Sequence, residues 1–269
     1  MLRRDYKAAL VDAGNGGFKS ISTLLKDLYE LFFGIGEPEI KALDISQKVT
    51  FFDDFLAAAI EARLSSTAGS GTGNAVATTV ANGLGGLVTL TSASNDGTHA
   101  ANCSTLTMDQ LNYKASQGGL VLETKLKIND VSEAVLFVGF TDTISTTVEL
   151  PIFLVAGDID SDATNACGVG YDIDGTIKQF FQGGVKADVD TVPVYSGNAP
   201  VDDTFFTVRV EVTADGAVRG FINGSPIGDW TANAVTASTA LTPAIFIGNR
   251  SANQVIATID YLWVQANRP

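Results

Sequence analysis

Phe206, Val208, Val210 and Val212 alternate along the chain with Thr207, Arg209, Glu211 and Thr213. A period of two puts the first set on one side of a strand and the second on the other, which predicts a half-buried strand. Asp215-Gly216 follows, and Asn223-Gly224 comes one short strand later. Both pairs are expected to supply the positive φ angles of tight hairpin turns. Leu120-Val-Leu-Glu-Thr-Lys-Leu-Lys-Ile128 alternates in the same way, with Leu120, Leu122, Leu126 and Ile128 expected to face inward. Ala134-Val-Leu-Phe-Val-Gly-Phe140 is apolar throughout, as a central strand covered on both faces would be. Pro151–Ala156, Gly168–Ile173, Thr176–Phe181, Ala244–Gly248 and Val255–Gln265 read as further strands. Turn signals recur at short intervals after residue 64 and long helical patterns do not, which predicts an all-β sandwich of antiparallel strands.

The N-terminal part has a different period. Ile21, Leu24, Leu25, Leu28, Leu31 and Phe32 recur at helical spacing opposite Lys26, Asp27 and Glu30, between a Ser20 cap and a Gly34 stop. The spacing predicts a helix over 20–33 with one strong apolar face, too short to stand alone in water. That face must pack either on the body of its own chain or on a partner. Phe52, Phe55, Leu56, Ile60 and Leu64 suggest a second short helix within 49–64, with Asp53 near its start. Ser65–Asn74 reads as a linker-like loop. Asp12-Ala-Gly-Asn-Gly-Gly17 lacks the ending and spacing of a nucleotide-binding loop and reads as a turn.

The strand-turn-strand-turn pattern at 205–228 resembles the late hairpin of concanavalin/laminin-G-type jelly rolls. Phe51-Phe-Asp-Asp-Phe-Leu56, Gly85–Ser92, Leu122–Ile128, Phe137–Asp142 and Ile259-Asp-Tyr-Leu-Trp-Val264 look, in that order, like the jelly-roll modules of structural proteins of tailed bacteriophages. The resemblance implies a two-sheet jelly-roll β-sandwich over 49–269, and the helical spacing before it predicts a short α-helical arm over 1–48. It also implies a role as capsid decoration protein, head fibre or tail adhesin, commonly on threefold positions.

Composition narrows the chemistry. The formal net charge is −13 over 269 residues, which repels polyphosphate and argues against direct nucleic-acid binding. No apolar run approaches the ~18 residues of a membrane span, and Met1-Leu-Arg-Arg-Asp is too charged for a secretory leader, so manufacture in a host cytoplasm is expected. Cys103 and Cys167 are expected as buried free thiols. Glycan-cleaving enzymes on such a fold commonly carry Glu-x-Asp-x-x-Glu on one strand, and the chain has no such motif; Glu149 and Glu211 stand alone in their strands. The sole histidine, His99, sits in a polar loop without a nucleophile elbow. The expectation is therefore a non-enzymatic protein without cofactor.

Two features invite a ligand. Asp158, Asp160 and Asp162, followed by Asp172-Ile-Asp-Gly175, could offer oxygen ligands to calcium, with solvated loop acids as the alternative. Trp230, after Gly228-Asp229, could stack on a sugar, whereas Trp263 is expected in the core with Phe137, Val138, Phe140, Phe153, Val208, Val210, Phe221, Phe246 and Ile259. The leading expectation is a decoration or cement protein on the virion surface, an oligomer and expected trimer. Leu24, Leu25, Leu28, Leu31 and Phe32 would anchor it to the major capsid protein or another virion protein. The alternative is a carbohydrate-binding adhesin, with Trp230 and the 94–102 segment meeting a host glycan.

Overall fold

The structure is a computed structural model that describes residues 47–269 apart from 82–84, 95–101, 109, 145–149 and 251–252. The chain divides into two units, Met1–Gln47 and Lys48–Pro269, and the described residues belong almost wholly to the second. The helix expected over 20–33 lies outside the described residues, as does His99.

The described strands run in chain order as follows. The first five are β1 (Lys48–Asp53), β2 (Leu64–Ala68), β3 (Ala75–Thr79), β4 (Val88–Thr91) and β5 (Cys103–Met108). Next come β6 (Leu120–Ile128), β7 (Ala134–Thr141), β8 (Phe153–Val155), β9 (Asp158–Asp160), β10 (Asn165–Asp172) and β11 (Phe181–Lys186). The last seven are β12 (Val189–Asp190), β13 (Val194–Tyr195), β14 (Phe206–Val212), β15 (Val218–Ile222), β16 (Ser225–Pro226), β17 (Thr242–Asn249) and β18 (Ile256–Asn267).

They form two eight-stranded antiparallel sheets. Sheet A has the order β16-β15-β14-β6-β18-β4-β3, with β1 also pairing β18. Sheet B has the order β12-β11-β10-β7-β17-β5-β2, with β13 also pairing β11. Alternation builds the core between them. Leu122 and Leu126 from β6, Val208 and Val210 from β14, and Ile259 and Val264 from β18 meet Leu136, Val138 and Phe140 from β7 and Ile245 and Ile247 from β17. All of these are fully buried. The strand β7 lies between β10 and β17 and is buried along its whole length, as its unbroken apolar run predicts.

Its second face has its own cover. Val135 and Phe137 of β7, Phe181 and Val185 of β11, and Ala244 and Phe246 of β17 point away from sheet A. They pack under Leu150, Ile152, Phe153, Leu154, Ile159 and Ala163. The covering segment includes the separate β8–β9 hairpin, which pairs with neither large sheet. A buried ion pair fastens it. Asp172 is wholly inaccessible and accepts from the Arg250 guanidinium through both carboxylate oxygens and from the Leu154 amide at 2.8 Å. The Arg250 guanidinium also lies 5.4 Å from the centroid of the Phe153 ring.

Five expectations are corrected. No helix forms between residues 49 and 64; β1 is a strand paired with β18 from Lys48↔Asn267 to Asp53↔Leu262. The β-prone Val49-Thr-Phe-Phe52 run finds a distant partner strand, and that pairing overrides the local helical spacing. The strand read at 176–181 starts only at Phe181, and 65–68 is strand rather than linker. Of the two hairpin turns, Asn223-Gly224 takes positive φ at both positions (51° and 78°), whereas only Gly216 does so in Asp215-Gly216 (87°). The Gly216 amide donates to the Thr213 carbonyl at 3.0 Å, and Thr213 then receives Ala217, so the connection is a turn closed by one left-handed glycine. A Cβ on Gly216 would sit 2.2 Å from the Val235 carbonyl oxygen, so only glycine fits.

The fifth correction concerns two aromatics. Of the ten residues expected in the core, eight are buried, but Phe221 and Trp263 are half-buried on the outer face of sheet A. In β15 it is Gly220 and Ile222 that face inward. In β18 the register slips between Ile259, opposite Leu126, and Tyr261, opposite Lys125. Asp260 is the extra residue of this bulge, and one extra residue reverses every later side chain. Ile259 points in; Tyr261 and Trp263 point out.

Candidate functional site

The outer face of sheet A is where these reversals matter. Cross-strand register places Phe52 of β1 opposite Trp263 of β18, Trp263 opposite Glu123 of β6, and Glu123 opposite Arg209 of β14. Arg209 is in turn opposite Phe221 of β15, and Phe221 opposite Pro226 of β16. One lateral row thus runs across six strands, aromatic toward its ends and charged in its middle. Strands lie about 4.8 Å apart, so Phe52 and Phe221 are about 19 Å apart along it. Next to the row stand Tyr261, Lys125 and Thr207, again opposite one another in turn.

The charged groups on β6, β14 and β15 of this face have partners. Tyr261 donates its hydroxyl proton to Glu123 Oε1 at 2.7 Å. Burial and this carboxylate together push the Tyr261 phenol up to about 12. Lys125 pairs with Asp260 at 2.6 Å, Lys127 with Asp203 at 2.9 Å, and Arg209 with Glu211 at 2.5 Å. Arg219 donates to the Gly228 carbonyl at 2.9 Å. The rings are engaged as well. The Phe221 centroid is 5.9 Å from the Arg209 guanidinium and 5.5 Å from that of Arg219. Phe205 lies 5.0 Å from Lys125 Nζ, and Phe52 lies 6.1 Å from the Tyr261 ring. Such a surface can stack on flat apolar groups and hydrogen-bond to polar ones around them.

The residues singled out from sequence fare differently. Leu24, Leu25, Leu28, Leu31 and Phe32 lie outside the described residues. Trp230 is 42% exposed in the loop after β16. Buried Gln182 holds that loop by donating to the Asp229 carbonyl at 2.6 Å and to Thr231 Oγ1 at 3.0 Å. Asp158 and Asp160 point to solvent from β9 while Ile159 between them enters the cover, and Asp162 is exposed. Asp172 is committed to Arg250. Among the described residues no group of three or more His, Cys, Asp or Glu side chains could hold a metal ion. Cys103 and Cys167 are free and buried, as expected, and belong to the cores on opposite faces of sheet B. Burial drives both thiol pKa values far up.

Sequence reasoning missed the row itself. Its members come from six separate strands, and only the pairing register aligns them. The Phe221 parity was visible, since inward Val218 and Ile222 both stand at odd spacing from it.

The chain matches no protein-family model and no curated relative. Solved structures do match. A protein of unknown function from Shewanella oneidensis MR-1 aligns over 94% of this chain and 96% of its own, with a TM-score of 0.53 and 14% identity. A Bacillus licheniformis β-glucanase aligns over 82% and 98%, with a TM-score of 0.52 and 12% identity. The carbohydrate recognition domain of Emp47p aligns over 84% and 99%, with a TM-score of 0.52 and 11% identity. The fold is a concanavalin-like jelly roll. These neighbours overturn the expectation of a non-enzymatic protein, because the same fold carries a β-glucanase as well as a recognition domain. They lend nothing to the capsid and cement reading.

Proposed function

We propose that this chain recognises carbohydrate through the outer face of sheet A. The row Phe52–Trp263–Glu123–Arg209–Phe221 carries the reading. Saccharides present flat C–H faces ringed by hydroxyls. Trp263 and Phe221 offer apolar platforms, and Glu123 and Arg209 between them offer acceptors and donors for those hydroxyls. The structural neighbours support the class of ligand, since one is named as a carbohydrate recognition domain and another as a β-glucanase. A place on a virion, a threefold assembly and an anchoring arm at 1–48 remain compatible with this reading, because the arm and the sheet face are separate parts of the chain.

A glycan array probed with the full-length protein tests the proposal. Binding to a defined subset of saccharides, weakened by Trp263→Ala and Phe221→Ala, is the expected result. Binding weakened only by Trp230→Ala would move recognition to the loop after β16. Silence across the array would sink the carbohydrate reading.

A further inference from the structure

Resting on that reading, we infer that the ligand is a neutral oligosaccharide of several rings, laid across the strands along the row from Phe52 to Phe221. Charge balance decides its chemistry. On β6, β14 and β15 and beside them the face carries four cations, Lys125, Lys127, Arg209 and Arg219, against four anions, Glu123, Asp203, Glu211 and Asp260, and Lys48 adds a fifth cation on β1, four residues from Phe52. Three cations are already paired with carboxylates at 2.5–2.9 Å, and Arg219 gives one N–H to the Gly228 carbonyl. A sulfate or uronate at Lys125, Lys127 or Arg209 in the middle of the face would have to displace a carboxylate, and would do so in the field of a chain of net charge −13. A hydroxyl needs no displacement. A paired carboxylate keeps unused lone pairs, and a guanidinium has five N–H donors, so both can bond to hydroxyls while remaining paired.

Geometry decides the length. A single ring would cover one aromatic and leave the other end of the row bare. The aromatics at Phe52 and Trp263 on one side and Phe221 on the other are separated by the two polar strands β6 and β14. A ligand that gains from both must span about 19 Å. The strand side chains here are held by cross-strand pairs, so the platform is built before the ligand arrives and little ordering is left to oppose binding.

Calorimetry on the full-length protein tests this with four probes: a neutral β-glucan hexasaccharide, a neutral chito-oligosaccharide of the same length, a sulfated hexasaccharide, and glucose. The expected result is binding of at least one neutral hexasaccharide, at least tenfold tighter than the sulfated one and than glucose. Its affinity should change less than about twofold between 0.05 and 0.5 M salt, since no net charge is neutralised. Trp263→Ala should weaken it at least tenfold. Phe52→Ala, at a side chain 58% exposed, should weaken it at least threefold. Tighter binding of the sulfated chain with steep salt dependence would overturn neutrality and leave carbohydrate recognition standing. Equal affinity for glucose would overturn the extended site. Neutral binding untouched by both aromatic variants would overturn the location. Absence of any saccharide binding, with self-association abolished by Phe52→Ala in sedimentation, would overturn this inference and the carbohydrate reading together.

Discussion

Both sheets have an outer face, and the two are finished in opposite ways. On sheet B the outward side chains of the central strands are mostly apolar or absent, with the Asp172 carboxylate paired to Arg250, and a second layer from Leu150 to Ala163 buries them. On sheet A the outward side chains are aromatic and charged, half-buried, and without a covering segment among the described residues. The difference follows from the strands' own periods. Strands β7, β10 and β17 are buried on every residue, while β6 and β14 alternate. A sheet written apolar on both sides demands a third layer. A sheet written alternately can meet water, and it can also meet a ligand.

If that contrast is right, damage to the sheet B cover should cost far more stability than damage to the sheet A face. The largest effect is expected at Arg250→Ala. It leaves the Asp172 carboxylate inaccessible and uncompensated, which costs about 3–5 kcal/mol. Urea unfolding reads this, and a loss below 1 kcal/mol would mean the cover is held otherwise. Ile159→Ala in β9 removes the one inward side chain of that strand and should cost about 2–4 kcal/mol. If stability were unchanged, the hairpin would be a loose flap rather than a layer.

The third test uses pH. Both thiols are raised above the ordinary value of 9.0 by burial, Cys103 under the cover and Cys167 between the sheets. A raised folded-state pKa contributes stability that is complete below the unfolded value and fades as pH climbs above it, because only the unfolded chain releases the proton. The two thiols together should therefore lower stability by about 2 kcal/mol between pH 9 and pH 10. A flat profile over that interval would show that the thiols reach solvent in the native state. The smallest effect is expected on sheet A. Lys125→Met breaks a partly exposed pair with Asp260 and should cost at most about 1 kcal/mol. A loss near that of Arg250→Ala would erase the distinction between the faces.

Much of this was legible in the chain. Leu120–Ile128 and Phe206–Val212 announce which side each presents, and the apolar run at 134–140 announces a strand covered twice. What covers it was not legible, because nothing local says that Ile152, Phe153 and Ile159 fold over Phe137 rather than join a sheet. The helical spacing of Phe52, Phe55 and Leu56 misled for a related reason. Helical period is a local property, and the pairing of Phe52 with Trp263 is not. The Asp260 bulge hid the candidate site. A single inserted residue moved Tyr261 and Trp263 from the expected core to the open face, and no composition or period marks such an insertion.

The pairing of β1 with β18 also constrains how the molecule comes into being. Strand β18 sits in the middle of sheet A, touching β1, β4 and β6, yet it leaves the ribosome after every other described strand. Sheet B has every strand available once Asn249 has emerged, but sheet A then lacks its centre and β1 has no partner. The nascent chain must wait with Phe51 and Leu122 lacking their final neighbours, and closing so distant a contact is slow. Trp263 meets Phe52 across 210 intervening positions of sequence order, so the row cannot be assembled before β18 has emerged. A chain truncated before β18 should accumulate as an aggregation-prone half-sandwich with no ligand surface at all.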